Sequence, residues 1–436
     1  MAWRAAEIQG TDALLARSGR PRLTAAGLLH AAVVLGLALW CALAVPLLMG
    51  KGGGAISLTI AGRLVAAEQA HALYALDNGA LAVSHPAWSE QAAELGYDGG
   101  IQPYLHPPLI AWLAAPLTLT DLMQAKLALL ALGFVSLALT LLVAVRSWAP
   151  DLTRSGGALA LAAGVLLSWP LAAEIMALTL QPLALLAAVI AIAAAQNGRP
   201  AIAGSALAAA AALTLTPATL VLYWAATRRF ACVLWFIGAS AALFAVGLCV
   251  AGPELHLQWL LRMQELAGAV VPSQHNGSLA GLLIGLAQDG PRVTEAGLAL
   301  PAVPGWIGAV TLATGVVGAA WCLLDASKAR RRPAADAAGQ VALLLVALMT
   351  APVAWAHSFL ILAVAGVIWL RLSGATLLAV GLMMLIAVAI SQPVAIGAAL
   401  AASEGWQPWV TGFESFAALA LIALLLIARR RYFLAD

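Results

Sequence analysis

The sequence carries little charge: only 9% of its 436 residues are Asp, Glu, Lys or Arg. Soluble domains carry about 25%, so an ordinary water-soluble enzyme is excluded. A disordered chain is excluded as well. Such chains are polar and charged, whereas 63% of this one is hydrophobic and its mean hydropathy is +0.96. Cysteine is equally sparse. Cys41, Cys232, Cys249 and Cys322 each stand alone in an apolar run, with no CxxC pair, which excludes a disulfide scaffold and leaves small buried hydrophobes. No GxGxxG follows a strand pattern and no P-loop is present, so the fingerprints of soluble nucleotide binding are missing. The net charge of +3 is small and sits at loop ends. That pattern is a topology signal and not a nucleic-acid surface.

What the chain does have is one apolar run after another. A membrane-spanning helix needs about 20 mostly apolar residues. By that measure spans are expected near 27–49, 107–120, 122–146, 156–172, 175–195, 200–225, 229–251, 304–325, 338–353, 355–371, 374–396 and 411–429. The expected fold is all-α, a single transmembrane domain over 1–436 with about 11–13 crossings. The segment 1–26 is polar, with Arg4, Arg17, Arg20 and Arg22. The apolar run after it is long enough to remain as an anchor, so no cleaved signal peptide is expected.

Positive loops stay cytoplasmic. The N-terminal arginines, Arg228 and Arg229, Lys328 with Arg330 to Arg332, and Arg429 to Arg431 all fall on one side when twelve crossings are counted. Both termini are then cytoplasmic, in what is expected to be a bacterial inner membrane. Loops 51–106 and 252–303, both net acidic, are then external. Arg146, Arg154 and Arg199 fall outside by the same count. Both external loops show helical patterning. Pro253 opens a segment with Glu254, Gln258, Arg262 and Glu265 along one stripe and Leu257, Leu260, Leu261 and Leu266 opposite, as an interfacial helix requires. Residues 59–76 are expected to place Glu68 and His71 on one face at i,i+3.

Ionisable groups at membrane depth are costly, and the predicted spans are nearly bare of them. Lys126 and Glu174 stand near span ends and read as boundary residues, as does Asp325. Polar residues crowd the outer loops and outer helix ends, which points to a site at the external face and not a path through the bilayer.

Four stretches of that face occur in a recognisable order: Ala61-Gly62-Arg63-Leu64, then Tyr104-Leu105-His106-Pro107-Pro108-Leu109, then Gln274-His275-Asn276-Gly277-Ser278-Leu279, then Ala351-Pro352-Val353-Ala354-Trp355-Ala356-His357. Together they make the chain resemble glycosyltransferase family 87 from about residue 27 to 429. The resemblance implies a GT-C-like bundle with interfacial helices in its two external loops. It implies transfer of a sugar, mannose- or arabinofuranose-like, from a polyprenyl-phosphate donor to a lipid or glycan acceptor. The implied partners are therefore lipids and the bilayer. No motif requires a cofactor, and whether a divalent metal takes part stays open.

The chain departs from the family at three polar positions. The family's aspartate before Ala-Gly-Arg is replaced by Gly54, its Gly-Gln-Asn-Gly-like stretch keeps only Gln181, and its Lys-Pro pair reads Thr216-Pro217. An inverting transfer needs a base for the acceptor hydroxyl and help for the departing phosphate. The base candidates are Glu68, Asp77 and Asp98 in the first loop, Glu68 first because His71 is expected beside it. Arg63, His106, Arg262 and His275 are candidates for the donor phosphate, since guanidinium and imidazole groups bind phosphate oxygens. Asn276, His357 and Gln181 complete the donor-binding set, although Asn276 would equally serve as the N-cap of a helix over 278–287. Two other readings remain: a non-catalytic member of the fold acting as a scaffold or lipid-binding subunit, and a transporter.

Overall fold

The computed structural model describes residues 52–75, 85–153, 165, 168–271, 276–287, 301–324, 326–374 and 413–434. The spans expected at 27–49 and 374–396 and most of that at 156–172 lie outside the described residues, as do Asp77, His275 and Asp325. The described chain is all-α. Among the described residues β pairing is confined to two isolated bridges, Ala269 to Ala302 and Asn276 to Trp355.

In chain order the helices are α1 (Gly53–Ala66), α2 (Pro86–Glu94), α3 (Pro108–Ala114), α4 (Leu122–Trp148), α5 (Trp169–Ala177), α6 (Gln181–Gln196), α7 (Pro200–Leu213) and α8 (Leu220–Ala226). There follow α9 (Phe230–Ala267), α10 (Leu279–Ala287), α11 (Gly305–Leu323), α12 (Ala326–Ala329), α13 (Pro333–Met349), α14 (Ile361–Leu372) and α15 (Phe413–Leu434). Their starts follow from local chemistry. Asp121 caps α4 by accepting the Gln124 N–H at 2.7 Å, and Gln124 returns the bond to the Asp121 N–H at 3.3 Å, a reciprocal cap that satisfies two orphan donors. Proline stands in the first turn of α2, α3, α6, α7 and α13, where its missing N–H costs nothing.

Three helices, α4, α9 and α11, are long and apolar enough to cross a membrane. Their outward faces are bare hydrocarbon: Leu132, Val135 and Leu139 on α4, Leu234, Ile237 and Phe244 on α9, Leu312, Val316 and Val317 on α11 are all exposed. That surface is stable only against lipid, and the chain is an integral membrane protein. Helix α13 forms the centre. It is buried from Ala335 to Val346 and packs against α11, α14 and α15.

Helix α9 breaks at Gly252, whose φ of +76° places it in the left-handed region open to glycine. Pro253 then opens a second segment, where the sequence predicts a helix start. Leu257, Leu260 and Leu261 face outward, while on the other side Trp259 donates to the Leu105 carbonyl at 3.1 Å and Arg262 to the Tyr74 carbonyl at 3.1 Å.

The basic end is knotted around Asp336, which is fully buried. Its Oδ2 accepts from Arg229 at 2.9 Å, Gln196 at 2.8 Å and Gln340 at 3.0 Å. Gln196 in turn accepts from Trp148 at 2.7 Å, and Gln340 from Trp224 at 2.9 Å. The ends of α4, α6, α8 and α9 thereby meet the start of α13.

This knot corrects the expected path of the middle of the chain. Residues 107–120 are not a spanning helix: α3 lasts seven residues and gives way to a 3-10 stretch, Ala115–Leu119. Both pieces pack against α1. Residues 200–225 break in two, because Pro217 follows the end of α7 and α8 starts afresh at Leu220. Residues 216–226, a 3-10 turn and a seven-residue helix, lead the chain back to the end that holds Arg229. Between the two changes the direction inverts. Arg146, two residues before Trp148, and Arg199, three after Gln196, therefore lie at the same end as Arg229. Arg154 is outside the described residues. The first loop differs as well: α1 ends at Ala66, Glu68 has a φ of +59°, and a short 3-10 turn carries His71. A continuous face shared by Glu68 and His71 does not form.

Removing a buried partner strands the charge left behind, at a cost of about 3–5 kcal/mol. Asp336→Ala is expected to lower the melting temperature of the detergent-solubilised protein sharply. Asp336→Asn, which keeps an acceptor for Gln340, is expected to cost less. A thermal unfolding series measures both.

Candidate functional site

The end opposite the basic knot gathers four separate stretches of chain. The first is the start of α1. Its glycines allow backbones to meet where any side chain would intrude. A Cβ on Gly54 would lie 2.8 Å from the Ala177 carbonyl oxygen and 3.0 Å from that of Leu178. A Cβ on Gly53 would lie 2.7 Å from the Gln102 side chain, and one on Gly52 would lie 3.0 Å from Lys126 Cε. Ser57 fastens the same turn, donating to the carbonyls of Gly53 and Gln102. Lys126 itself is buried.

The second stretch is the turn between α5 and α6. Leu178 takes a left-handed φ of +53° and turns the chain sharply. Glu174 holds that turn: Oε1 accepts the Thr179 N–H and Oε2 the Thr179 hydroxyl, each at 2.7 Å. Glu174 is 5% exposed. Burial pushes its carboxyl up from the ordinary 4.5 to about 8, against the opposing pull of the two Thr179 bonds. Gln181 opens α6, its N–H donating to Thr179 Oγ1 at 3.1 Å. Helix α5 packs against the 3-10 turn Ala356–Leu360, which carries His357.

The third stretch joins two loops. Asn276 is 1% exposed. Its amide donates to the Val271 carbonyl at 2.9 Å, and its Oδ1 accepts the Ala354 N–H at 2.9 Å and the Ser278 N–H at 3.1 Å. Gly277 N–H adds a bond to the Ala354 carbonyl at 2.7 Å. The loop with Asn276 and the junction with His357, 81 positions apart in the sequence, are thus one piece of structure. The cap of α10 is Ser278, whose Oγ accepts the Gly281 N–H at 3.0 Å, so Asn276 ties loops together and does not cap.

The fourth stretch surrounds His106. Its Nδ1 lies 3.0 Å from the Leu213 carbonyl and its own carbonyl accepts from Tyr74 at 2.7 Å. Burial lowers its pKa, with the Leu213 carbonyl opposing, which favours the neutral ring. Arg262 pairs with Glu265 at 2.6 Å. Arg63, at the far end of α1, pairs with the exposed Glu94 at 3.2 Å. Glu68 and Asp98 are both exposed.

The structure therefore brings Gln181, Asn276, His357 and His106 to one end of the bundle, with Arg63 and Arg262 along its first and second loops. Asp77 and His275 fall outside the described residues. No group of three or more His, Cys, Asp or Glu side chains converges among the described residues. Lys126 and Glu174, which stand near predicted span ends, are further buried polar residues at this end. The signal was present in the spacing of Glu174 and Thr179, five apart across a Leu-Thr turn, but their end of the bundle depended on the inverted middle of the chain.

Compared with known proteins, the chain matches the model of glycosyltransferase family 87 over residues 104–352. No curated protein matches it.

Two outcomes follow from this geometry. Gly54→Ala forces a methyl against two carbonyl oxygens, and overpacking of this kind costs about 1–3 kcal/mol; thermal unfolding in detergent measures it. The raised carboxyl of Glu174 also makes stability depend on pH. The folded state keeps its proton up to about 8, while the unfolded chain releases it near 4.5. The contribution is therefore complete below 4.5 and lost as pH rises toward 8. Melting temperatures measured across that window should fall more steeply for the wild type than for Glu174→Gln.

Proposed function

The chain belongs to glycosyltransferase family 87, a family of membrane glycosyltransferases, and from that premise we propose that it transfers a sugar from a polyprenyl-phosphate donor to a lipid or glycan acceptor. The sugar in this reading is mannose- or arabinofuranose-like. The reaction takes place at the face opposite the basic end, which is the external face of a bacterial plasma membrane if the arginines face the cytoplasm. The observation that carries the reading is the assembly of Gln181, Asn276, His357, His106, Lys126 and Glu174 at one end of a bundle whose other end is closed by the Asp336 knot.

In this reading the donor lipid lies along the apolar flank of the bundle and presents its phosphate to cationic and hydrogen-bonding groups of that end, Lys126 and His357 among them, with Arg63 and Arg262 along the first and second loops. Neutral His106, Asn276 and Gln181 shape the floor. The acceptor arrives from the first loop, where Glu68 and Asp98 are exposed to solvent.

One observation favours a second reading. The space at Gly54 is closed by the carbonyls of Ala177 and Leu178, so no side chain reaches into the site from the position where the family resemblance puts an aspartate. A non-catalytic scaffold or lipid-binding subunit would have that property. The two readings separate in nanodiscs supplied with radiolabelled polyprenyl-phosphate mannose or arabinofuranose and membrane lipids. Transfer gives a labelled product. Donor binding without product identifies the scaffold, and unchanged label crossing sealed liposomes identifies a transporter.

A further inference from the structure

We infer that the cleft between α11 and α13 binds the acceptor, and that the acceptor is a neutral glycerolipid, with ester-linked chains under a head of free hydroxyls. The inference rests on the sugar-transfer reading and names the acceptor's class for it. The cleft has a volume of about 490 Å³, with Leu312 and Val316 of α11 on one side and Leu343 and Val346 of α13 on the other. Leu312 and Val316 are exposed, so the cleft opens sideways into the bilayer. Small residues make the room. Gly308, Thr311 and Gly315 follow at three- and four-residue spacing along one face of α11, and Ala347 lines the wall that α13 supplies.

One end of the cleft belongs to the candidate site. Ala351 and Pro352 line it there, and the Pro352 carbonyl accepts from Asn276 and Ser278, each at 3.4 Å. Beside that end lies a second cavity of about 460 Å³, lined by Leu261, Gln264, Glu265 and Ala302. Gly268 and Ala269 line both spaces, and Gly268 raises no side chain where they meet. An apolar cleft open to lipid therefore adjoins a polar cavity in the second loop, which is the shape of an amphipathic molecule.

Thr311 separates the acceptor from the donor as occupant. A threonine hydroxyl in a helix ordinarily bonds the carbonyl one turn back, as Thr59, Thr140 and Thr350 do at 2.8 Å. The Thr311 hydroxyl is shut from solvent and bonds nothing among the described residues. It stands six residues past the start of α11 at Gly305, about 9 Å along the helix at its usual rise. An ester carbonyl between the head and chains of a glycerolipid can accept from it there. A polyprenyl chain is hydrocarbon below its phosphate and offers no acceptor. The polar cavity argues the same way. Its charged group is Glu265, whose Oε2 already holds Arg262 at 2.6 Å. A carboxylate accepts hydrogen bonds from hydroxyls and repels a phosphate.

The test reads lipid binding to the purified full chain in detergent by native mass spectrometry. The probes are a monohexosyl diacylglycerol, phosphatidylglycerol and polyprenyl phosphate, and melting temperature is the control for folding. The wild type is expected to prefer the hexosyl lipid over phosphatidylglycerol by about tenfold or more. Gly315→Leu and Ala347→Leu fill the cleft and should weaken the hexosyl lipid by about tenfold or more, with polyprenyl phosphate unchanged. Thr311→Val should cost about threefold to tenfold, the worth of one neutral hydrogen bond. Glu265→Gln removes the repulsion and should raise phosphatidylglycerol binding while the hexosyl lipid holds. Thr311→Val and Glu265→Gln are nearly isosteric, so they decide the matter if both filling variants misfold. Loss of polyprenyl phosphate in folded filling variants gives the cleft to the donor and overturns the inference. A wild type that does not distinguish the two diacyl lipids overturns it, as do variants that change no lipid. Selective binding of the hexosyl lipid without any labelled product on adding donor is a different failure, that of sugar transfer, and leaves the lipid site standing.

Discussion

The attraction between Asp336 and Arg229 fixes the frame on which everything else in the bundle is arranged. In a low-dielectric interior neither charge is tolerable without the other, so the loop after α8 and the first turn of α13 must meet. The two glutamines extend the requirement. Gln196 brings the end of α6 and, through Trp148, the end of α4. Gln340 brings Trp224 of α8. Four helix ends are held at one depth by one carboxylate. The opposite ends of α4 and α6 then lie a helix length away, and the turn before α6 is delivered to the far face beside the start of α1. Lys126 and the turn that Glu174 holds both reach the glycine start of α1 because Trp148 and Gln196 come together at the knot.

The far end is built by a different rule. There the contacts are backbone to backbone, and the residues that matter are those without side chains. Gly52, Gly53 and Gly54 let α1 start against the α5–α6 turn, Gln102 and Lys126. Asn276 supplies the bonds that backbone alone cannot make, joining the second loop to the junction after α13. Irregular backbone in a membrane protein survives only where such partners satisfy its N–H and C=O groups. The Asn276 amide does this for Val271, Ser278 and Ala354, which is a structural reason for that residue beside any role toward a sugar.

Much of the fold was legible in the sequence, because long apolar runs have few alternatives in lipid. The helices expected near 122–146 and 338–353 and the helix start at Pro253 all follow from hydropathy and proline position. Direction was not legible across the middle. The run at 107–120 is as apolar as a span, yet Pro107, Pro108 and Pro116 restrict it to a short helix and a 3-10 turn packed on α1. Hydropathy cannot register that difference, since a buried short helix and a spanning one look alike over a dozen residues. The arginines carried the correction. Arg146 and Arg199 conflicted with the expected topology, and restoring them to the basic side inverts that stretch of chain. The family motifs fared differently. Their order indicated which loops converge, and Asn276 pairing with the Trp355 segment is that convergence in bonds. The place of Glu174 was hidden, because its depth and end depend on the inversion.

Gly54 and Glu174 are linked by electrostatics as well as packing. A carboxylate at position 54 would project at the turn that Glu174 holds, and two acids in so poorly solvated a place cannot both ionise. The carbonyls of Ala177 and Leu178 would add to the repulsion, since both already point at that position. A chain with Glu174 buried at this turn is therefore most stable with no acid at position 54, and glycine, which lets the turn close onto α1, fits best of all. On this argument the glycine does not by itself mark a lost activity. It is what the packing and the charge of this end require once the carboxylate enters from α5.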